Sequence, residues 1–321
     1  MKVLVTGANG YIGRNVVQLL ASIPNIEVIA SDISNSNLPK SINFINLDIL
    51  KEANNPNLFE ILGSPDKIIH LAWKDGFNHF AESHIQELSY HFNFLKNMIN
   101  SGVKSFSVMG TAHEIGYYEG EVNDETPCNP LSYYGMAKNM LRQLLFTYTK
   151  DKNISLKWLR AFYITGDDKF NNSVLTKILE AAQKGKKVFP FTDGTNQFDF
   201  IELNELSKMV VQASIQDKVN GIINLCSGEP KPIKDVVESF IADNGLDIKL
   251  DYGAFPSRRY DSPVIFGNTE KIKLILDLNK DNKIRWDFKY KFSHYIQQWN
   301  FFKRSSIVGL YLFSSYYFSF S

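Results

Sequence analysis

The sequence predicts an α/β protein: a doubly wound parallel sheet with a smaller α+β part on its C-terminal side. Three observations lead there. Short apolar runs alternate with stretches of helical periodicity through the first half. A glycine-rich turn joins the first of these runs to the first helical stretch. The second half is instead punctuated densely by turn residues.

Val3–Thr6, Val28–Ser31, Phe44–Leu47, Lys67–Ala72, Phe106–Met109 and Leu156–Leu159 read as short buried strands. Between them, Ile12, Val16, Leu19 and Leu20 form one helical apolar stripe. Phe92, Leu95, Met98 and Ile99 form a second, and Met140, Leu141, Leu144 and Leu145 a third. Strands alternating with helices in this way imply a parallel sheet covered on both faces. Past Gly166 the turn signals Asn171-Asn172, Asp193-Gly194 and Ser262-Pro263 separate helices expected at Ser173–Gln183, Leu203–Ile215 and Ile233–Asp243. The expected organisation is residues 1–165 as one domain and 166–304 as a substrate-binding part, with some exchange of chain between them. Residues 305–321 form an apolar tail. Its serines and its length fall short of the ~20 mostly apolar residues of a spanning helix, so no membrane anchor is expected.

Composition narrows the classes. Of 321 residues 44% are hydrophobic and 21% charged, which suits a globular chain with a sizeable core. With 35 Lys+Arg against 34 Asp+Glu the net charge is +1, so no footprint for nucleic acid or acidic lipid shows. Cys128 and Cys226 stand far apart with no Cys/His cluster, and neither a metal site nor a disulfide framework is expected. Met1-Lys2-Val3-Leu4-Val5-Thr6 runs straight into the glycine turn, which reads as a cytoplasmic protein without a signal peptide.

That turn is Gly7-Ala8-Asn9-Gly10-Tyr11-Ile12-Gly13, with GxxGxxG spacing. Following a strand and opening a helix, it has the context of a pyrophosphate cradle: glycines allow close backbone approach, and the helix points its positive end at the phosphates. The sheet is therefore expected to be Rossmann-like and to bind a dinucleotide. Asp32 ends the second strand 19 residues beyond Gly13, placed to accept hydrogen bonds from a ribose and to repel a 2′-phosphate. NAD is the expected cofactor, with NADP kept open by Arg14, directly after the last glycine. Asp48, with Ile49 beside it, ends the third strand and meets an adenine edge or simply caps the strand.

Tyr134 and Lys138 stand at i and i+4 on a helix that opens after Pro130-Leu131-Ser132. An ammonium beside a phenol lowers its pKa from about 10 and makes a general acid/base for alcohol–ketone chemistry. Tyr148 and Lys152 repeat the spacing at a helix end and read as chance. Thr111 ends the fifth strand, where an open α/β sheet presents ligand groups, and its hydroxyl can bond the oxygen that Tyr134 protonates.

Together with His70-Leu71-Ala72-Trp73, Leu159-Arg160 and Asp199-Phe200-Ile201, these pieces resemble the extended short-chain dehydrogenases/reductases of the NAD-dependent epimerase/dehydratase family, over residues 1–300. The resemblance implies that Tyr134 is the acid/base, that Lys138 holds the nicotinamide ribose, that Thr111 orients the substrate oxygen and that Leu71 and Ala72 line the cofactor. It also implies a nucleotide-sugar substrate and a homodimer.

Departures from the family pattern carry information too. Thr111 is followed by Ala112-His113-Glu114 instead of the Asp-Glu of sugar dehydratases, which disfavours dehydration. Phe198 replaces an arginine before Asp199, Arg160-Ala161-Phe162-Tyr163 replaces Arg-Pro-x-Asn, and His91 stands where an asparagine is common. Arg258 and Arg259 are the expected diphosphate clamp, with His113 and Phe198 at the sugar nucleotide. Phe189 to Phe191 read as flanking a base or as core.

The stretch Met109 to Tyr117 resembles enzymes of the dTDP-4-dehydro-6-deoxyglucose reductase type. The expected activity is NAD(P)H-dependent reduction of the 4-keto group of a nucleotide-linked 4-keto-6-deoxyhexose, for surface polysaccharide. The alternatives are a nucleotide-sugar C4 epimerase and a non-catalytic dinucleotide-binding protein.

Overall fold

The computed structural model describes residues 1–167, 171, 173–256 and 261–281, the last three of these in backbone only. Seven parallel strands form the main sheet: β1 (Lys2–Thr6), β2 (Glu27–Asp32), β3 (Asn43–Asn46), β4 (Lys67–His70), β5 (Ser105–Thr111), β7 (Ser155–Ala161) and β11 (Gly221–Leu225). Their spatial order is β11-β7-β5-β4-β1-β2-β3. The order reverses between β1 and β4, and in doubly wound sheets ligands bind outside the carboxyl ends of the strands at such a switch point. Residues Leu4, Val5, Ile68, Ile69, Phe106 and Val108 are buried on both faces, which is why these strands read as continuous apolar runs.

Helices cover the main sheet: α1 (Gly13–Ala21), α2 (Leu58–Ile61), α3 (Ser83–Gln86), α4 (Leu88–Asn100) and α5 (Tyr133–Thr149), later joined by α7 (Leu203–Ile215) and α9 (Glu270–Asp281), whereas α6 (Val174–Gln183) and α8 (Ile233–Asp243) pack in a separate cluster with Phe191 and Ile248. Ser132 caps α5 by accepting the Gly135 N–H at 3.2 Å, and Ser173 caps α6 through Thr176 N–H at 3.3 Å. No side chain caps α1.

A second sheet runs β12 (Pro230–Pro232), β10 (Gln197–Glu202), β14 (Val264–Gly267) and β6 (Gly120–Val122), with β8 (Tyr163–Thr165) on the other end of β10. A small pair joins β9 (Val188–Pro190) to β13 (Lys249–Asp251). The chain crosses between layers: β6 leaves the first half for the second sheet, and β11 returns to extend the first. At the amino end of the main sheet, buried Lys67 and Lys157 both pair with Asp217, away from the ligand-facing edge.

Two local expectations need correction. The fourth strand stops at His70 rather than Ala72, because the chain there leaves the sheet to pass over the glycine turn. Met140 is 48% exposed, while Ala137, Leu141 and Leu145 face the sheet. Among the described residues no helix is long and apolar enough to cross a membrane. The tail 305–321 lies outside them.

Candidate active site

The glycine turn is built by close approach. Gly7 has a left-handed φ of 66°, and a Cβ there would sit 2.5 Å from the Ala72 nitrogen. A Cβ on Gly13 would meet the Gly7 carbonyl oxygen at 2.0 Å. Turn and Leu71–Ala72 thus form one tightly packed wall. The Asp32 carboxylate accepts the backbone N–H groups of Asn9 at 2.9 Å and Ile33 at 2.7 Å. Asn9 donates through Nδ2 to Ser34 Oγ at 2.8 Å and accepts the Asn37 N–H at 2.8 Å, stitching the ends of β1 and β2 together. Arg14 is buried and pairs with Asp167, and the Tyr11 hydroxyl donates to the Gly166 carbonyl at 2.5 Å. The residue weighed for a 2′-phosphate is therefore held elsewhere. Asp48 lies two residues beyond the end of β3 and accepts from Leu50 and Lys51 N–H at 3.2 and 3.3 Å, so it caps the turn that follows. The Ile49 side chain lies in the core with Leu58 and Leu62, not among the loop ends.

Thr111, Tyr134 and Lys138 come together at the carboxyl end of β5. The Thr111 hydroxyl hydrogen-bonds the Tyr134 phenol and also accepts the His113 N–H at 3.2 Å. Burial pushes the phenol up to about 12, with the Thr111 bond opposing this and the Glu114 charge adding to it. This reverses the expected direction. Lys138 does not lower the phenol: its Nζ donates to the Met109 carbonyl at 2.7 Å and stands 3.7 Å over the Trp73 ring. Burial brings Lys138 itself down to about 7, with Glu114 pulling the other way. The second Tyr-xxx-Lys lies at the exposed end of α5, where Tyr148 bonds Asn100 and Lys152 covers its ring.

Histidines surround this centre, and His113 is the one of them that the sequence places at the substrate. Thr6 Oγ1 and His70 Nδ1 share a hydrogen bond of 2.8 Å, and His70 Nε2 meets His91 Nδ1 at 3.0 Å. Burial, with Lys138 adding to it, holds His70 down at about 3, and His91 is likewise lowered by burial. His91 stacks on Trp73 at 4.4 Å, and Trp73 Nε1 donates to His84 Nδ1 at 3.0 Å. That leaves His84 Nε2 to donate to the Asn78 carbonyl at 2.8 Å. His79 lies parallel to the Tyr134 ring at 5.4 Å and 4.2 Å from His113, and its carbonyl accepts the Tyr134 N–H. Only the run of four histidines from His70 to His91 marked this in the sequence.

His113 borders a cleft between the two sheets, lined also by Ala112, Ser132, Tyr163, Asp261 and Ser262. Glu114 does not reach it. It is fully buried, accepting from Trp158 Nε1 at 2.9 Å and from Arg160 Nε at 2.5 Å. Phe198 must be corrected: it stacks on Tyr163 at 4.2 Å inside a core with Phe162, Cys226 and Ile265. Asp199, fully buried, accepts the N–H groups of Ser227, Gly228 and Gly267 and so ties the Ser227–Gly228 turn and the end of β14 to β10. Phe189 and Phe191 pack in a further core cluster with Val237 and Ile248. Arg258 and Arg259 lie outside the described residues.

A doubly wound sheet with a glycine turn, an acidic β2 end and a Thr–Tyr–Lys set at the switch-point edge defines a dinucleotide-binding α/β protein. The model of the NAD dependent epimerase/dehydratase family matches residues 3–226, and the chain belongs to that family. It is 40% identical over 270 residues to the dTDP-6-deoxy-L-talose 4-dehydrogenase (NAD(+)) of Aggregatibacter actinomycetemcomitans, covering 83% of this chain and 99% of that one. It is 26% identical over 313 residues to a putative UDP-arabinose 4-epimerase of Arabidopsis thaliana, covering 84% of this chain and 74% of the other. A UDP-glucuronic acid 4-epimerase from Bacillus cereus, solved with UDP-glucuronic acid and NAD, shares the fold at a TM-score of 0.71 and 22% identity, over 90% of this chain and 98% of its own.

Proposed function

We propose that this protein interconverts a dTDP-linked 6-deoxyhexose and its 4-keto form with NAD, acting as a nucleotide-sugar 4-ketoreductase. One observation carries the reading. A Thr-bonded phenol stands beside Lys138, while Glu114, the one carboxylate of the Ala112–Glu114 turn after Thr111, is locked in the core by Arg160 and Trp158. That set serves redox chemistry at a carbinol carbon and offers no acid/base pair for eliminating water. The 40% identical dehydrogenase, matched over 99% of its length, supports C4 of a dTDP-6-deoxysugar as the reacting position.

The residues present fit the family's cofactor. The turn tolerates no Cβ at Gly7 or Gly13, α1 opens without a side-chain cap, and Asp32 is held half-buried at the end of β2. Gly7, Asn9, Gly10, Tyr11, Ile12 and Gly13 would hold the pyrophosphate, Asp32 the ribose, and Leu71 and Ala72 the wall beside it. When bound, NAD supplies the hydride acceptor or donor at its nicotinamide ring. Tyr134 keeps its proton at neutral pH and gives it to the C4 oxygen as the ketone is reduced. Thr111 shares that oxygen, and Lys138 holds the nicotinamide ribose. His113 faces the sugar from the cleft, with Arg258 and Arg259 as the diphosphate clamp. The exposed apolar stripe of α5, Tyr133, Met136 and Met140, is the proposed face of a homodimer.

The test uses purified protein with NAD+ and dTDP-6-deoxy-L-talose, then NADH with dTDP-4-keto-6-deoxyhexoses. Stoichiometric change in reduced-nicotinamide absorbance with one matching sugar product is expected. Formation of a C4 epimer without net nicotinamide turnover would replace the reading with an epimerase.

A further inference from the structure

Trp73 occupies an unusual position for a residue that follows a strand end. Its ring lies between a buried histidine and the active-site lysine: His91 stacks on it at 4.4 Å, and the Lys138 Nζ stands 3.7 Å from its centroid. Its edge meets the Tyr134 ring at 6.3 Å, and its Nε1 donates to His84. His84 in turn bonds the Asn78 carbonyl, and the next residue's carbonyl, His79, accepts the N–H of Tyr134. The loop from Trp73 to His84 is thereby closed on itself and fastened to the first turn of α5.

We propose that Trp73 is a positioning residue with two separable tasks: its face holds the Lys138 ammonium, and its indole N–H fastens the 74–84 loop against Tyr134. The inference rests on Lys138 being the active-site lysine of the proposed function. Lys138 sits where charge is costly. The titratable groups facing it are His70 from β4, His91 from α4, Glu114 from the turn after β5, Tyr134 one turn back on α5, and His84 behind the indole. His70 and His91 are neutral by burial. The Met109 carbonyl supplies one hydrogen bond. The negative face of the indole supplies attraction for the cation without a hydrogen bond that would compete for the remaining ammonium protons. A flat ring also sets the height of the ammonium above it. Trp73 thus favours the charged form, against burial.

Trp73→Phe and Trp73→Leu separate the tasks, since Phe keeps a π face without the N–H and Leu keeps neither. The full chain is labelled with ε-15N-lysine and titrated by NMR, with Lys138→Met assigning the signal. The pKa of Lys138 is expected to fall by about one unit in Trp73→Leu and to stay near wild type in Trp73→Phe. Amide exchange over residues 74–84 is expected to quicken in both variants. In Trp73→Phe the KM for the sugar rises several-fold with kcat little changed. An unchanged or raised Lys138 pKa in Trp73→Leu overturns the role of the face, and unchanged loop exchange in Trp73→Phe overturns that of the N–H. Wild-type protein that performs no C4 redox on any dTDP-deoxysugar sinks the proposed function, yet the titration and exchange still decide this proposal.

Discussion

Tyr134 keeps its proton because burial outweighs the bond from Thr111, so at neutral pH the group is poised to give a proton rather than take one. General acid catalysis contributes ~10²–10⁴-fold. Tyr134→Phe is therefore expected to lose that much kcat while NADH binding, measured by fluorescence titration, stays close to wild type. Tyr148→Phe, fourteen residues along the helix and about 21 Å away at ~1.5 Å per residue, is expected to be nearly silent. Equal effects would refute the choice between the two matches. Cofactor preference is also expected to be decided residue by residue. In the proposed site Asp32 would repel a 2′-phosphate, and Arg14 is tied to Asp167. NADH is expected to bind at least about tenfold tighter than NADPH, a difference of about 1.4 kcal/mol. Asp167→Asn, which removes the charge that pairs with the guanidinium, is expected to narrow that gap; tighter NADPH binding by the wild type would contradict the account.

The segment from β5 to α5 joins chemistry to scaffold. Thr111 ends the strand in the site, while Glu114, three residues on, is carried into the core to pair with Arg160 of β7. A buried ion pair that loses one partner costs about 3–5 kcal/mol. Glu114→Ala is expected to lower the free energy of unfolding by about that much in denaturant melts, with the kcat of the folded fraction within a few-fold of wild type. Full stability with abolished activity would instead make Glu114 a chemical participant. Elements with strong local signals are legible in the sequence: α7 and α8 match their expected bounds, and α6 differs only in that Ser173 is its cap. The glycine turn and the Tyr134–Lys138 pair are legible because each works through local spacing. Phe198 is not, because β10 lies inside the second sheet and is covered on both faces, so position along the strand does not tell ligand-facing from core-facing. Trp73, His84 and His91 meet only through the path of a loop, and lone side chains at irregular spacing carry no periodic signal.

At the scale of the molecule, two sheets share one chain by exchange, and the candidate site lies where the first sheet's carboxyl edge meets the cleft bordered by Tyr163 and Ser262. Outside that cleft, α5 exposes Tyr133, Met136 and Met140 at i, i+3 and i+7, on the side away from Lys138. An apolar helical stripe of this spacing suits a second copy of the same helix. The wild type is expected to be a dimer by light scattering, and Met136→Glu with Met140→Glu a folded monomer; a wild-type monomer would refute the proposed face. The central claim is net redox at C4 of a dTDP-6-deoxysugar, and the position of one deuterium tests it most directly. A dTDP-6-deoxy-L-talose labelled with deuterium at C4 is incubated with NAD+ and followed by mass spectrometry. The account predicts that the label leaves the sugar, appears in released reduced cofactor in equal amount, and leaves a 4-keto sugar behind. Label retained at C4 of an epimerised sugar, with no reduced cofactor released, would contradict it.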